Sequence, residues 1–372
     1  MSLTLLEGNE AIAWGAYHAG CRFFAGYPIT PATTILSTMM KILPPNGGYC
    51  IQGEDEIASM GFCLGASMAG MKVMTATSGP GISLYSENIS FAIGSEIPIV
   101  IVDVQRLGPS TGYATKAADG DIEFLRWGNS GGLPVIVLAP TDVADCYLLT
   151  AHAVNLAEQY RCPVFIASNK EIGMARESLD LERLDLPLEI HRSKHIDGTP
   201  YIPFSAGPTG VPDFTPIGDE IISRQTSSMH GPDGYLTVDP AVIAKNQERL
   251  HNKLIQAVDS FTFYDLQEEA DAQVLLVTYG VTSRAALSAA AGLRQAGRPI
   301  SVLTLKTLWP MPVDLIKKIA TPYQKVAVVE MNLGQYVHDI RGIVNDRPVK
   351  FLGQMDGNLI TPAQIEEFIA HE

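Results

Sequence analysis

An α/β fold built around parallel sheet is predicted for this chain of 372 residues, and three observations predict it. Short apolar runs alternate with amphipathic helical segments through the first half. Four polar motifs each follow directly on one of those runs. The alternation stops between about Leu186 and Gln267 and then resumes to the C-terminus. Together these predict two α/β units joined by an extended segment: residues 1–185, 186–267 and 268–372.

In the first unit the runs Arg22–Ala25, Tyr49–Ile51, Val73–Ala76 and Ile99–Val104 read as short buried strands, with Pro134–Ala139 and Pro163–Ala167 to follow. They are too uniformly apolar to face water, as expected of a parallel sheet covered on both sides. Helices are predicted at Ala11–Ala19, Thr33–Lys41, Asp55–Ala69, Ser83–Ile93 and Asp142–Gln159. The middle segment is rich in Pro and Gly, yet Tyr201, Phe204, Val211 and Phe214 are interleaved. A solvated linker has no need of these side chains, so the segment is expected to be ordered and packed on a surface, with a helix at Pro240–Val258. The second unit has strands at Gln273–Thr278, Ile300–Thr304, Lys325–Val329 and Val349–Phe351. Its helices fall at Ser283–Ala296, Val313–Ile319, Gln335–Val344 and Pro362–Ala370, the last with Thr361 as N-cap. A chain of this length accommodates two domains, each expected to have its own core.

The formal net charge of −14 argues against nucleic acid as a partner, because phosphate neutralisation needs clustered Lys and Arg. Five cysteines form no CxxC and no close group, which excludes a disulfide scaffold, a zinc ribbon and a resident iron–sulfur cluster. No histidines pair at metal-ligand spacing, and no GxSxG elbow occurs. No signal peptide or membrane-spanning run is visible. A cytoplasmic protein is expected.

The four polar motifs are Tyr27-Pro28-Ile29-Thr30-Pro31, Gln52-Gly53-Glu54-Asp55-Glu56, Thr77-Ser78-Gly79-Pro80-Gly81 and Gln105-Arg106-Leu107-Gly108-Pro109-Ser110-Thr111-Gly112. Loops at the carboxyl ends of parallel strands gather on one rim, where ligands bind, so Thr30, Glu56, Ser78 and Arg106 are expected at one crevice. Ile57, Met60, Leu64 and Met68 recur at helical spacing, which puts Glu54, Asp55 and Glu56 in the first turn of a helix. There Glu54 and Asp55 need only complement the helix dipole, while Glu56 borders the packed face. Thr77–Gly81 lacks both the GxGxxG and Walker spacings and reads by itself as a tight turn. Arg106 leaves a strand into small donors, suited to bidentate capture of a carboxylate. In the second unit, Tyr279–Thr282 and Met331–Gly334 read as turn and cap chemistry.

Taken together, the motifs YPITP, GEDEIAS (Gly53–Ser59), TSGPG and QRLGPSTG resemble the alpha subunit of 2-oxoacid:ferredoxin oxidoreductases, thiamine-diphosphate enzymes that make acyl-CoA. Leu305–Pro310 and Glu330–Gln335 extend the resemblance into the second unit, which looks like the family's transketolase-C-terminal-like domain. The first unit would then be a pyrimidine-binding (PYR) domain. The resemblance implies that Glu56 hydrogen-bonds N1′ of the aminopyrimidine, favouring the tautomer that deprotonates the thiazolium. It assigns Pro28, Ile29, Ser78 and Gly79 with Glu56 to the cofactor, and Thr30 and Arg106 to the substrate. Lys116, ten residues past Arg106, is the candidate for the distal carboxylate of a diacid.

The resemblance also implies partners. Asp119-Gly120-Asp121 is present, but Gly-Asp-Gly is not. The Mg²⁺ and diphosphate half-site and an iron–sulfur (4Fe–4S) cluster are expected on a beta subunit, with gamma and delta subunits, CoA and ferredoxin as further partners. GEDEIAS, TSGPG and RLGPSTG look most like the 2-oxoglutarate branch. Pyruvate and branched-chain branches, or a non-redox transketolase-like half enzyme, are the alternatives. Tyr113-Ala114-Thr115-Lys116 departs from the more usual Leu-Pro-Thr-Lys.

Overall fold

The computed structural model describes residues 3–195 and 198–371. Its strands are β1 (Leu3–Glu7), β2 (Phe23–Gly26), β3 (Tyr49–Gln52), β4 (Val73–Thr77), β5 (Ile99–Gln105), β6 (Ile136–Leu138), β7 (Pro163–Asn169), β8 (Arg176–Asp180), β9 (Tyr264–Gln267), β10 (Val274–Tyr279), β11 (Ser301–Leu305), β12 (Thr307–Trp309), β13 (Lys325–Glu330) and β14 (Val349–Gly353). A seven-stranded sheet runs β12-β6-β7-β5-β4-β2-β3, and a five-stranded sheet runs β14-β13-β10-β11-β9. β2 to β7 pair with one another only in parallel, as do β10 with β11, β10 with β13, and β13 with β14. β1 and β8 form a separate antiparallel pair.

Several predicted elements are revised. β3 lies at the sheet edge with a single neighbour, so Tyr49 and Ile51 are exposed and the strand is not buried. The helix Glu56–Met68 begins one residue later than expected, because the Asp55 carboxylate caps it by accepting the Ala58 amide at 2.7 Å. Its buried stripe is Glu56, Ser59, Met60, Cys63, Leu64 and Ser67, while Ile57 is 52% exposed. Glu56 thus lies on the packed face instead of beside it, and Ile57 does not. The helix expected at Ser83–Ile93 divides into Pro80–Leu84 and Ser86–Gly94.

The two units do not have separate cores. One face of the large sheet packs Val102 and Ile166 against Ile12, Ile35, Met39 and Val154, on helices Gly8–His18, Thr33–Ile42 and Val143–Tyr160. On the opposite face Met60, Ile89 and Leu125 run continuously into Leu275, Val277, Leu303 and Tyr336 of the second unit. The link is β12, which leaves β11 after one residue and pairs antiparallel with β6, joining the first unit's sheet. A third cluster fills the far side of the small sheet beneath helices Thr282–Gln295 and Pro362–Ala370.

The middle segment is ordered and extended along the first unit, as expected. Arg192 and Glu158, each about 5% exposed or less, form a bidentate pair at 2.7 and 2.8 Å, and Arg192 also donates to the carbonyls of Ser67 and Met71. Lys72 holds Glu189 at 2.8 Å. Phe214 is buried under the Arg192 guanidinium, 4.4 Å from ring centroid to cation. Pairs with this much burial are costly to break singly, which fixes the segment's course.

Candidate active site

β5, β4, β2 and β3 are consecutive and parallel. Their carboxyl ends deliver the four polar motifs to one rim. Two contacts show that the loops meet. Arg106 Nη1, from the loop after β5, donates to the carbonyl of Thr30 in the loop after β2. A methyl group on Gly81, after β4, would fall 2.0 Å from Thr77 Oγ1 and 2.8 Å from Glu56 Oε1, so only glycine lets this turn approach the Glu56 carboxyl. Gly79, at φ +40°, lies against the other side of the crevice, where a methyl would stand 3.5 Å from Arg106 Cγ and Nε. The Gly79-Pro80-Gly81 turn therefore separates Arg106 from Glu56 and touches both.

Glu56 is 7% exposed at the first helical position. Among the described residues no side chain or amide donates to its carboxylate. Nearby, Thr77 Oγ1, Ser78 Oγ and Arg106 Nε are buried without a partner. Each such group costs about 1–3 kcal/mol if left unpaired. Their clustering at one rim marks a place built for something that is not part of this chain.

The motif loops are held from behind. Asn9 Nδ2 donates to the Pro31 carbonyl and to Thr34 Oγ1, each at 2.8 Å. Thr34 in turn donates to Glu7 Oε1 at 2.6 Å. The Thr30–Pro31 and Gly108–Pro109 peptides are cis. Thr30 itself is exposed, Pro28 and Ile29 are half-buried, and it is the carbonyl of Thr30 that engages Arg106.

Asp103, inside the apolar run of β5, has no place in the sequence reading yet sits directly behind Arg106. Burial pushes its carboxyl well above the usual carboxylate range, and the charge of the neighbouring Asp121 pushes it further. Burial also raises Asp121, to about 6, against the opposing effects of Asp103 and Arg106. Burial thus disfavours the charged form of both carboxyls that lie behind Arg106. The signal for Asp103 was available: a single acid in Ile99–Gln105, which is otherwise apolar up to its last residue.

Lys116 is exposed at the base of the same loop, where its carbonyl accepts the Leu107 amide at 2.8 Å. Its aliphatic stem lies along Gly357 of the second unit; a methyl there would stand 2.9 Å from Lys116 Cβ. The structure does not join Lys116 to Arg106 or Glu56 by any direct bond. The second unit approaches through Asp119: the Asp119 amide donates to the Met331 carbonyl and Asn332 Nδ2 to the Asp119 carbonyl, both at 2.9 Å. Asn332 Oδ1 caps helix Gln335–Ile343 by accepting the amides of Gly334 and Gln335, in keeping with the expected cap role of this loop. Among the described residues no group of three or more His, Cys, Asp or Glu could hold a metal ion, and no helix is long and apolar enough to cross a membrane.

Comparison with known proteins places this arrangement in a class. Residues 14–248 match the pyruvate flavodoxin/ferredoxin oxidoreductase, thiamine-diphosphate-binding family, and residues 272–365 match pyruvate:ferredoxin oxidoreductase core domain II. The chain belongs to this thiamine-diphosphate-binding oxidoreductase family. It is 40% identical over 371 residues to the 2-oxoglutarate synthase subunit KorA of Methanocaldococcus jannaschii, covering 99% of this chain and 100% of the relative. It is 33% identical over 369 residues to the ketoisovalerate oxidoreductase subunit VorB of Methanothermobacter thermautotrophicus, covering 99% and 97%. Its structure is similar to that of a 2-oxoglutarate:ferredoxin oxidoreductase from Magnetococcus marinus with 2-oxoglutarate, coenzyme A and succinyl-CoA bound, with TM-score 0.94 and 33% identity over 99% of this chain and 65% of that one. A split-gene transketolase shares the fold alone, at TM-score 0.58 and 15% identity.

Proposed function

We propose that this chain is the alpha subunit of a 2-oxoglutarate:ferredoxin oxidoreductase, converting a 2-oxo acid and CoA to acyl-CoA and CO₂ and passing electrons to ferredoxin through a partner. One observation carries the reading: Glu56 is a buried residue whose carboxyl meets the Gly81 turn beside the unpartnered Thr77 hydroxyl and, among the described residues, receives no hydrogen bond. The residues present fit the aminopyrimidine half of thiamine diphosphate. Glu56 can accept one hydrogen bond, Gly81 lets the turn close on the Glu56 carboxyl, and the hydroxyls of Thr77 and Ser78 are free to pair. When bound, that cofactor supplies the electron sink for decarboxylation.

This chain's own residues then orient and bind. Glu56 holds the proton-bearing edge of the pyrimidine. Pro28, Ile29, Ser78 and Gly79 shape the crevice, and Arg106, set by the Thr30 carbonyl and the Asp103–Asp121 pair, meets the substrate carboxylate. Residues 1–185 form the PYR domain, 186–267 the connection and 268–372 the transketolase-C-terminal-like domain. Mg²⁺, the diphosphate half-site and an iron–sulfur cluster belong to a beta subunit, and the assembly works in the cytoplasm. The five unpaired thiols of this chain are consistent with that compartment.

The kinship with 2-oxoglutarate synthase subunits, at higher identity than the ketoisovalerate relatives, supports a diacid substrate. The test is a two-substrate comparison in the reconstituted complex. Wild type should prefer 2-oxoglutarate over 2-oxobutyrate, and Lys116→Ala should depress kcat/KM for the diacid while sparing the monoacid. Preference of the wild type for the monoacid would overturn the substrate assignment, and equal slowing of both by Lys116→Ala would remove Lys116 from the distal pocket.

A further inference from the structure

Far along the chain from the four motif loops, the middle segment and helix Pro240–Ile255 enclose a cavity of about 410 Å³, within the size range of small-molecule sites. One wall is the helix. Lys245, Arg249 and Lys253 follow one another at four-residue spacing, which places them on one face. The other wall is the Phe204–Gly210 and His230–Pro232 loops, and among the described residues no Asp or Glu lines the space. In a chain of net charge −14, a cationic cavity is not an accident of composition.

The charge is built in from below. Glu96, wholly buried at φ +53°, accepts Arg249 Nη1 and Nη2 at 3.0 and 2.6 Å and Lys253 Nζ at 2.7 Å. Burial alone would raise the Glu96 carboxyl, but Lys253 and Arg249 outweigh burial and hold it at about 2. The buried Arg161 guanidinium lies close enough to add to that effect. One carboxylate thus stands against three cations, which leaves excess positive charge at the cavity floor, while among the described residues Lys245 has no ion pair.

Two polar atoms lack partners here. His230 is 2% exposed, and its Nδ1 stands 2.7 Å from the Ser228 carbonyl, so Nδ1 carries the proton and donates. Its Nε2 is buried and unpartnered. Asn246 accepts Arg249 Nη2 on Oδ1 at 2.8 Å, which fixes its amide orientation and leaves Nδ2 buried without an acceptor. Phe204 packs on the His230 ring at 3.9 Å between centroids, and Pro208, Pro232 and Val242 add apolar surface. Cations and an orphan donor beside a flat apolar wall are complementary to phosphate joined to a ring.

We propose that this cavity binds a nucleoside phosphate, either a free nucleotide or the nucleotide end of CoA, at a site distinct from the Glu56–Arg106 crevice. The phosphate lies against Lys245 and Asn246, with Arg249 behind them supplying charge while its terminal nitrogens stay on Glu96, Gly210 and Asn246, and the base lies against Phe204 and His230. The site does not depend on the substrate assignment above.

The experiment is calorimetric titration of the purified complex with ADP, inorganic phosphate and CoA, for wild type and Lys245→Glu. Lys245 is exposed and, among the described residues, pairs with nothing that holds the fold, so the variant folds, which circular dichroism and thermal unfolding check. ADP should bind the wild type more tightly than phosphate does, and charge reversal should weaken ADP about tenfold or more, equivalent to about 1.4 kcal/mol. The His230 Nε2 resonance in ¹⁵N-histidine-labelled complex should move with ADP saturation. If CoA competes with ADP for the Lys245-dependent site, the nucleotide end of CoA is the occupant; if CoA leaves that site untouched, it is a free nucleotide. Absence of ADP binding, binding indifferent to Lys245→Glu, or phosphate binding as tightly as ADP would each overturn the proposal.

Discussion

Glu56 and Glu330 are buried glutamates at the carboxyl-terminal rims of two parallel sheets, and their surroundings differ. Glu330, at the end of β13 and wholly buried, accepts the Tyr279 hydroxyl at 2.7 Å and the amides of Tyr336 and Val337 at 3.1 and 3.0 Å. Among the described residues Glu56 accepts no hydrogen bond. A buried carboxylate with three donors is a structural joint, since hydrogen bonds to a charged acceptor contribute about 1.5–3 kcal/mol each. One with no donor that opens on a crevice is placed to take its partner from outside. The same fold geometry therefore makes a hinge pin in one unit and half of a ligand site in the other, and donor count tells them apart.

Four substitutions sharpen the contrast, beginning with the largest effect. Glu56→Gln in the reconstituted complex should lower kcat/KM by about 10²–10⁴-fold, the usual worth of positioned acid–base assistance, whereas Glu330→Gln should keep turnover per folded molecule. Steady-state kinetics normalised to folded protein checks both. Glu330→Gln should instead cost about 3 kcal/mol in urea unfolding, because one of its oxygens becomes a donor facing donors. A stable Glu330→Gln protein would break the comparison.

Asp119 comes next and depends on pH. Its carboxyl is raised to about 7, chiefly by burial, despite the Asn169 amide at 2.8 Å. The folded chain therefore binds a proton that the unfolded chain has lost, and stability falls as pH rises from about 4 to about 7, then levels off. Asp119→Asn keeps an acceptor for Asn169 and removes the decline. It should stabilise the protein by about 2 kcal/mol at pH 8 and do little at pH 4. Unfolding curves at the two pH values measure this, and parallel pH profiles for wild type and variant would refute it. The smallest effect is Asp55→Ala, which removes the cap on helix Glu56–Met68 and should cost about 1 kcal/mol with turnover kept.

Much of this was legible in the sequence for identifiable reasons. The parallel strands announced themselves as apolar runs, and the motifs fell on one rim because adjacent parallel strands leave them nowhere else to go. The family resemblance rested on those same motifs. Other features depended on tertiary context. Ile57 looked like a core residue by spacing, but the Asp55 cap and the edge position of the neighbouring β3 turn that position outward and bring Glu56 inward. β12 was invisible because three residues inside an apolar stretch carry no mark of which sheet they will join. The shared core follows from that strand. Asp103 could have been singled out as an acid within an apolar strand, yet its place beside Asp121 depends on a loop that folds back from Lys116 to Asp121.

The central claim, that Glu56 is a carboxylate left unpaired for an external partner, is tested most directly by urea unfolding of the complex without thiamine diphosphate, comparing wild type with Glu56→Gln. The account predicts equal or greater stability for the variant, because no protein hydrogen bond is lost. A loss of the size expected for Glu330→Gln would show that Glu56 holds the fold together and would contradict the claim.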